Sequence, residues 1–167
     1  MSQRSLTPTS YIILGLLQHG AGTPYELKNR AAATVGHFWS LQHAQLYTET
    51  AKLTEDGLLT ERREEKGRRR KTYAITAAGR RALEGWLAEP TAELIELRDL
   101  GILKTFLGAD PSALAPAQLE AHRERLARYE ELHRELKKNG IPEGMILSLE
   151  AGIGHEREYV RFWSKLA

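Results

Sequence analysis

Residues 62–71 read Arg-Arg-Glu-Glu-Lys-Gly-Arg-Arg-Arg-Lys, seven basic side chains against two acidic ones in ten positions. A strand-like segment stands on either side, 58–63 (Leu-Leu-Thr-Glu-Arg-Arg) and 71–75 (Lys-Thr-Tyr-Ala-Ile), so the stretch reads as a hairpin with a charged, glycine-containing turn. Three helical segments precede this hairpin and one follows it. That order leaves few architectures open.

The first helix is expected over 8–19. Tyr11, Ile12, Leu14, Leu16 and Leu17 make it too apolar for a surface helix, and Gly20 and Gly22 stop it. Thr23-Pro24 supplies an N-cap and a proline at the first helical position, and Glu26 a first-turn acid, for a second helix running to about residue 33. Residues 34–40, with Gly36, Phe38 and Trp39, read as a short connection. The third helix is expected over 41–56, closed by Gly57 as C-cap. Leu46, Thr50 and Leu53 share one face of it, and Gln42, His43, Gln45, Thr48, Glu49 and Lys52 occupy the rest. After the hairpin, Thr76 caps a fourth helix with Leu83, Trp86 and Leu87, which Pro90 ends.

The rear half reads as helical throughout, over 91–107, 116–138 and 143–166, with a break at Gly108-Ala109-Asp110-Pro111. Leu119, His122, Leu126, Tyr129, His133 and Leu136 recur at alternating spacings of three and four, as do Ile146, Leu149, Ile153, Glu156, Val160 and Trp163. These heptad-like seams predict a helical dimerisation surface carried by Leu119, Leu126, Tyr129, His133, Leu136, Ile146, Leu149, Ile153, Val160 and Trp163. The expected fold is mainly α: a winged helix-turn-helix of three helices, a two-stranded β wing and a linking helix over 1–88, then an α-helical dimerisation segment over 89–167.

Charge follows the same division. Residues 1–87 carry 13 Lys+Arg against 8 Asp+Glu, or +5, and residues 88–167 carry 11 against 14, or −3, which sums to the chain's +2. A polyanion would meet the front half. A helix fits the DNA major groove, where Gln42 and Gln45 suit adenine and His43 and Thr48 are adaptable polar groups. Ser40, Tyr47 and Lys52 would hold the backbone, and Arg63, Lys66, Arg68, Arg69, Arg70 and Lys71 would add phosphate contacts from the wing. Two such helices in a homodimer imply double-stranded DNA with a pseudo-palindromic operator, its half-sites about 10 base pairs apart or a small multiple. The alternative is a winged-helix protein–protein interaction module, which would need an apolar patch on the third helix.

Other classes find little support. The chain has no Cys, hence no disulfide and no thiolate metal site, and no apolar run long enough to span a membrane, so a cytoplasmic protein is expected. It has no phosphate-binding Gly-Lys-Ser/Thr loop, nucleophile elbow or Rossmann glycine fingerprint, and no enzymatic activity is expected. His122 and His133 are too far apart on one helix to share an ion, and the sequence at His155 lacks the second histidine of the zinc-hydrolase motif; neither a metal nor a cofactor is expected.

From Ser10 to Leu87 the chain resembles the PadR family of bacterial transcriptional regulators. The resemblance rests on Ile13-Leu14-Gly15-Leu16-Leu17, Gly22-Thr23-Pro24-Tyr25-Glu26-Leu27-Lys28, Phe38-Trp39 and Gln45-Leu46-Tyr47. It continues through the segment from Leu53 to Leu59, then from Lys71 to Gly79, and closes on Leu83-Glu84-Gly85-Trp86-Leu87. The rear half resembles the dimerisation region of the larger members. Three positions depart from the family pattern: Pro24 stands for a common glycine, Thr50 for a usual leucine, which predicts looser packing there, and Arg68 follows Gly67 where proline is frequent. The resemblance implies a dimeric regulator, usually a repressor, that releases DNA when a small aromatic or apolar effector binds. Phe38 and Trp39, beside the third helix, are the residues expected to form an effector pocket.

Overall fold

A computed structural model describes residues 4–63, 70–96 and 98–167, and at His43 the backbone alone. The chain forms two compact units, Met1–Ala92 and Glu93–Ala167.

The first unit begins with α1 (Pro8–Leu16). Thr7 caps it reciprocally with Ser10, and Pro8, which has no N–H to leave unsatisfied, opens the first turn. The helix is three residues shorter than expected, because residues 17–19 turn towards Gly20 at φ 142°. The Arg30 guanidinium, from the next helix, donates to the carbonyls of Leu16, Gly20 and Ala21, each at 3.2 Å, satisfying acceptors that the helix end leaves open. In α2 (Pro24–Ala33), Glu26 accepts from the Thr23 backbone N–H at 2.7 Å while Thr23 caps Glu26. A single 3-10 turn at Val35–His37 leads to α3 (His43–Glu55). Leu41, expected inside this helix, lies before it, since Gln42 is an extended N-cap residue (φ −81°, ψ 134°). Gly57 at φ 73° closes α3 and lets Leu58 N–H bond back to the Leu53 carbonyl at 2.9 Å.

β1 (Leu59–Arg63) and β2 (Lys71–Ile75) pair antiparallel, from Leu59↔Ile75 to Arg63↔Lys71. Gly22 adds a one-residue bridge to Tyr73, with both backbone hydrogen bonds formed at 2.9 and 3.0 Å, so the α1–α2 loop holds the hairpin's inner strand. Thr76 caps α4 (Ala77–Ala88), which approaches the hairpin so closely that a Cβ at Gly79 would lie 2.3 Å from the Leu58 carbonyl oxygen. The core gathers Ile13, Leu14, Leu17, Leu27, Leu46, Leu53, Leu58, Leu59, Tyr73 and Leu83, so every α-helix and strand of the unit contributes an apolar side chain to it. Thr50 does not loosen this core. It is buried, and its hydroxyl is satisfied within α3 by the Leu46 carbonyl at 2.6 Å.

In the second unit, among the described residues of the region read as a helix over 91–107, α5 (Leu100–Phe106) is the helical part. The reason is local: Asp99 is an extended N-cap residue whose carboxylate accepts from Ile102 N–H at 2.9 Å, so the helix starts after it. Conversely, α6 (Pro111–Lys138) starts five residues earlier than expected. Asp110 caps it, Pro111 occupies its first turn, and Pro116 is carried inside it. α7 (Glu143–Ser164) returns alongside α6 after a turn that places Gly140 at φ 62°.

The heptad-like seams close α6 on α7 within the same chain. Leu119 and Trp163 are buried with Ala115 in one cluster, against which Val160 packs. Tyr129, Leu149 and Ile153 are buried in a second, against which Leu126 and Leu136 pack. Ile146 is half-buried, and His133 pairs with Glu150 at 2.9 Å. Between the clusters His122 Nδ1 meets Glu156 Oε2 at 2.5 Å, both side chains buried, and Arg125 reaches the other carboxylate oxygen at 3.3 Å.

Candidate nucleic-acid interface

α3 presents two faces. Leu46, Glu49, Thr50 and Leu53 point into the unit, and Ala44, Gln45, Tyr47, Thr48, Ala51 and Lys52 are exposed. Ser40 and Gln42, just before the helix, are exposed as well, and Gln42 makes no side-chain capping bond. Every residue expected to read bases or hold the backbone from this helix therefore faces solvent, apart from His43, whose side chain lies outside the described residues. The Thr48 hydroxyl donates to the Ala44 carbonyl at 3.0 Å. With its hydrogen so used, Thr48 can offer a base its methyl group, suited to a thymine methyl, and its oxygen lone pairs, suited to a base amino donor.

Glu49 was expected on the polar face and is not there. It is 7% exposed, accepts from the Ser10 hydroxyl at 2.5 Å, and meets Arg4 at 2.8 Å. Arg4 also donates to Asp56 at 2.7 Å. One guanidinium thus bridges Glu49 and the C-cap residue Asp56, about two turns apart, and with Ser10 fixes the orientation of the exposed face. The partners are 45 and 39 residues from Glu49 in sequence, and no local pattern links them.

The base of the wing holds a second arrangement that sequence reasoning missed. Glu61 faces Tyr73 across the ladder. Its carboxylate accepts from Arg63 at 2.7 Å, from Lys71 at 3.0 Å and from the Tyr73 hydroxyl at 3.0 Å. Hydrogen bonds from Arg63 and then Lys71 hold its carboxyl down at about 2. Burial, followed by the bond to Glu61, pushes the Tyr73 phenol up to about 12. Arg63 and Lys71, expected to meet phosphates, are therefore engaged by an internal anion before any DNA arrives. Arg62, on the other face of the ribbon, is exposed and has no ion-pair partner among the described residues. Arg70 is exposed, and Lys66, Arg68 and Arg69 lie outside the described residues.

Of the two aromatics expected to form an effector pocket, Trp39 lines a cavity beside α3, and Phe38, 65% exposed, does not. Among the described residues, no group of three or more His, Asp or Glu is placed to hold a metal ion, and no helix is long and apolar enough to cross a membrane.

Comparison with known proteins agrees with this geometry. The sequence profile of the PadR-like transcriptional regulators matches residues 13–85. The negative transcriptional regulator PadR of Bacillus subtilis is 29% identical over 166 aligned residues, which cover 90% of each chain. The crystal structure of Bacillus subtilis PadR in complex with operator DNA superposes with a TM-score of 0.85 at 26% identity, covering 98% of both chains. The same protein in complex with p-coumaric acid superposes with a TM-score of 0.78 at 26% identity, over 97% of this chain and 96% of that one. The matched segment runs from the buried face of α1 into α4 and takes in both the exposed helix and the wing, so residues 13–85 carry the domain of the PadR-like family of transcriptional regulators.

Proposed function

We propose that this chain is a sequence-specific DNA-binding repressor that acts as a homodimer and lets go of its operator when a small aromatic or apolar effector binds. One observation carries the reading: an exposed, amide- and hydroxyl-bearing face of α3 stands in the same unit as an arginine-rich hairpin. The first supplies donors and acceptors for base edges, and the second supplies charge for phosphates. Gln42 and Gln45 would pair with adenine, with His43 and Thr48 beside them. Ser40, Tyr47 and Lys52 would hold the backbone, and Arg62, Arg70 and the turn residues Lys66, Arg68 and Arg69 would lie along the phosphates. The relative described as a negative regulator, and its complexes with operator DNA and p-coumaric acid, support repression and release. A protein-interaction module would expose apolar side chains on α3, where Tyr47 is the one large exposed apolar side chain among the described residues.

For the dimer the reading moves away from the α6–α7 seam, whose inner positions are already covered within one chain. Leu94, Ile95, Leu100, Leu103, Phe106 and Leu107, from 50% to 92% exposed, gather six exposed apolar side chains within 14 residues at the start of the second unit, while Met145, Leu147 and Phe162 are exposed on α7; a second copy would cover the first group. Pairing two units fixes the spacing of two α3 helices and so the half-site separation. Such a regulator works in the cytoplasm and carries no catalytic role.

Fluorescence anisotropy tests the central claim. DNA from upstream of the protein's own gene is compared with unrelated DNA at several salt concentrations. The expected result is a preference of about a thousandfold or more. Equal, salt-labile binding to both sequences would remove sequence-specific recognition of that site, and no binding to either at low salt would remove the DNA reading altogether.

A further inference from the structure

The α1–α2 loop reaches the wing through a one-residue bridge, in which Gly22 exchanges two backbone hydrogen bonds with Tyr73 at 2.9 and 3.0 Å. So short a bridge holds a strand only if its own backbone is held. Arg30, half-buried on α2, does this: its guanidinium donates at 3.2 Å to the carbonyls of Leu16, Gly20 and Ala21, tying the end of α1 to the two residues before Gly22. The group also lies flat on Gly22, where a Cβ would stand 3.5 Å from Cζ, Nη1 and Nη2 alike. A planar fork of fixed donors can stack and make three bonds at once; the compact ammonium of a lysine cannot reproduce this. From Tyr73 the link continues to the cations of the wing. The Tyr73 hydroxyl donates to Glu61 at 3.0 Å, and Glu61 accepts from Arg63 and Lys71. α2 also meets the wing through charge: its capping acid Glu26, held below the usual carboxylate range first by the hydrogen bonds from Thr23, feels Arg30 and the wing residue Arg70.

We infer that Arg30 is a positioning residue for the wing: without touching DNA itself, it holds the α1–α2 loop against β2 so that Arg62 and Arg70, both exposed, reach phosphates beside the groove that α3 enters. The inference rests on the DNA-binding reading above and adds to it a residue outside both α3 and the wing. It also gives two buried-side arginines different tasks. Arg4 braces α3 through Glu49 and Asp56, so its loss acts on the reading of bases. Arg30 braces the hairpin, so its loss acts on phosphate contacts, and the two kinds of contact are separable by their salt dependence.

The test measures anisotropy of the full-length protein on a random-sequence duplex across a salt series, for wild type, Arg30→Met, Arg30→Lys and Arg4→Gln, each at a temperature where its thermal unfolding has not begun. Loss of the two wing contacts should lower the slope of log affinity against log salt by about 1.8 in Arg30→Met. Between about 50 and 200 mM salt the variant then loses about tenfold less affinity than wild type, from a weaker start. Arg30→Lys keeps the charge without the three bonds and should show the same change. Arg4→Gln removes an equal charge and should keep the wild-type slope. A drop of only about 0.9 that Arg30→Lys restores would make Arg30 itself a phosphate contact, and overturns the inference. So does a wild-type slope in a destabilised Arg30→Met, or an equal drop in Arg4→Gln. Amide hydrogen exchange on the free protein needs no DNA. In wild type the Gly22 and Tyr73 amides should be protected like that of buried Leu27, and in either Arg30 variant they should lose protection before Leu27 does. Exchange at the rate of unstructured backbone in wild type overturns the inference even if neither variant folds, and so does protection that the substitutions leave unchanged. If the protein binds no DNA at all, the DNA-binding reading fails, and hydrogen exchange still decides whether Arg30 holds the hairpin.

Discussion

Glu61 is an anion built into the base of a cationic wing, and replacing it with Gln tests how the wing meets DNA. The carboxylate engages two cations, Arg63 at 2.7 Å and Lys71 at 3.0 Å, which form the last pair of the ladder before the turn. Glu61→Gln removes the charge and keeps an amide oxygen able to accept from the Tyr73 hydroxyl, so the ladder need not change. If both released cations then take up phosphates, the slope of log affinity against log salt steepens by about 0.9 for each, or about 1.8 in all. Between about 50 and 200 mM salt, that extra slope corresponds to about a tenfold larger loss of affinity. The assay is anisotropy on unrelated DNA across a salt series, where phosphate contacts dominate, with Glu84→Gln on α4 as a charge-matched control. The variant should bind non-specific DNA more tightly than wild type at low salt and lose that advantage as salt rises, and its preference for operator should narrow. A slope equal to that of wild type and of the control would show that Arg63 and Lys71 make no phosphate contact, and would refute the account of Glu61 as an internal competitor.

Acid titration reads the same carboxylate. Its folded value of about 2 lies below its usual 4.5, so its contribution to stability is complete above about pH 4.5 and is lost as pH falls towards 2. Denaturation midpoints measured at pH 5 and pH 3 should draw closer together in Glu61→Gln than in wild type. Gly79→Ala forces a Cβ into the Leu58 carbonyl and should destabilise the first unit by about 1–3 kcal/mol, measured by urea unfolding. His122→Ala removes the short contact to a buried Glu156 and should cost about 3 kcal/mol, near the low end for a broken buried pair because Arg125 remains within 3.3 Å. Leu103→Asp with Phe106→Asp places two charges on the exposed apolar segment of α5, and sedimentation should show monomers where wild type sediments as a dimer.

Much of the architecture is written in signals that act over a few residues. Thr7-Pro8, Thr23-Pro24 and Thr76 start three helices because a hydroxyl cap and a proline without an N–H satisfy the first turn locally. Gly57 ends α3 because its backbone takes a positive φ. Spacing alone assigns Leu46, Thr50 and Leu53 to the core and leaves Gln45, Thr48 and Lys52 outside, and the alternation of two short segments around a charged turn yields the wing. These properties need no knowledge of what lies across the fold.

The tertiary structure decided what depends on partners distant in sequence. Glu49 sits among polar residues in α3, yet Arg4 and Ser10 draw it inward and make it a brace for the exposed face. Glu61 looks like one more charge near a basic turn until the hairpin register sets it opposite Tyr73 and beside Lys71. A heptad-like seam states that a helix will bury one face without stating against what. The turn after Lys138 lets α7 fold back on α6, so an apolar stripe that would equally suit a second subunit is covered within one chain. The same closure leaves Leu103, Phe106 and their neighbours uncovered, although nothing in their periodicity marks them out. Local sequence thus determined the elements and their polar faces, because capping and periodicity act within a turn or two; tertiary structure decided which charges are paired and which apolar faces remain open, because both depend on what the rest of the chain brings alongside.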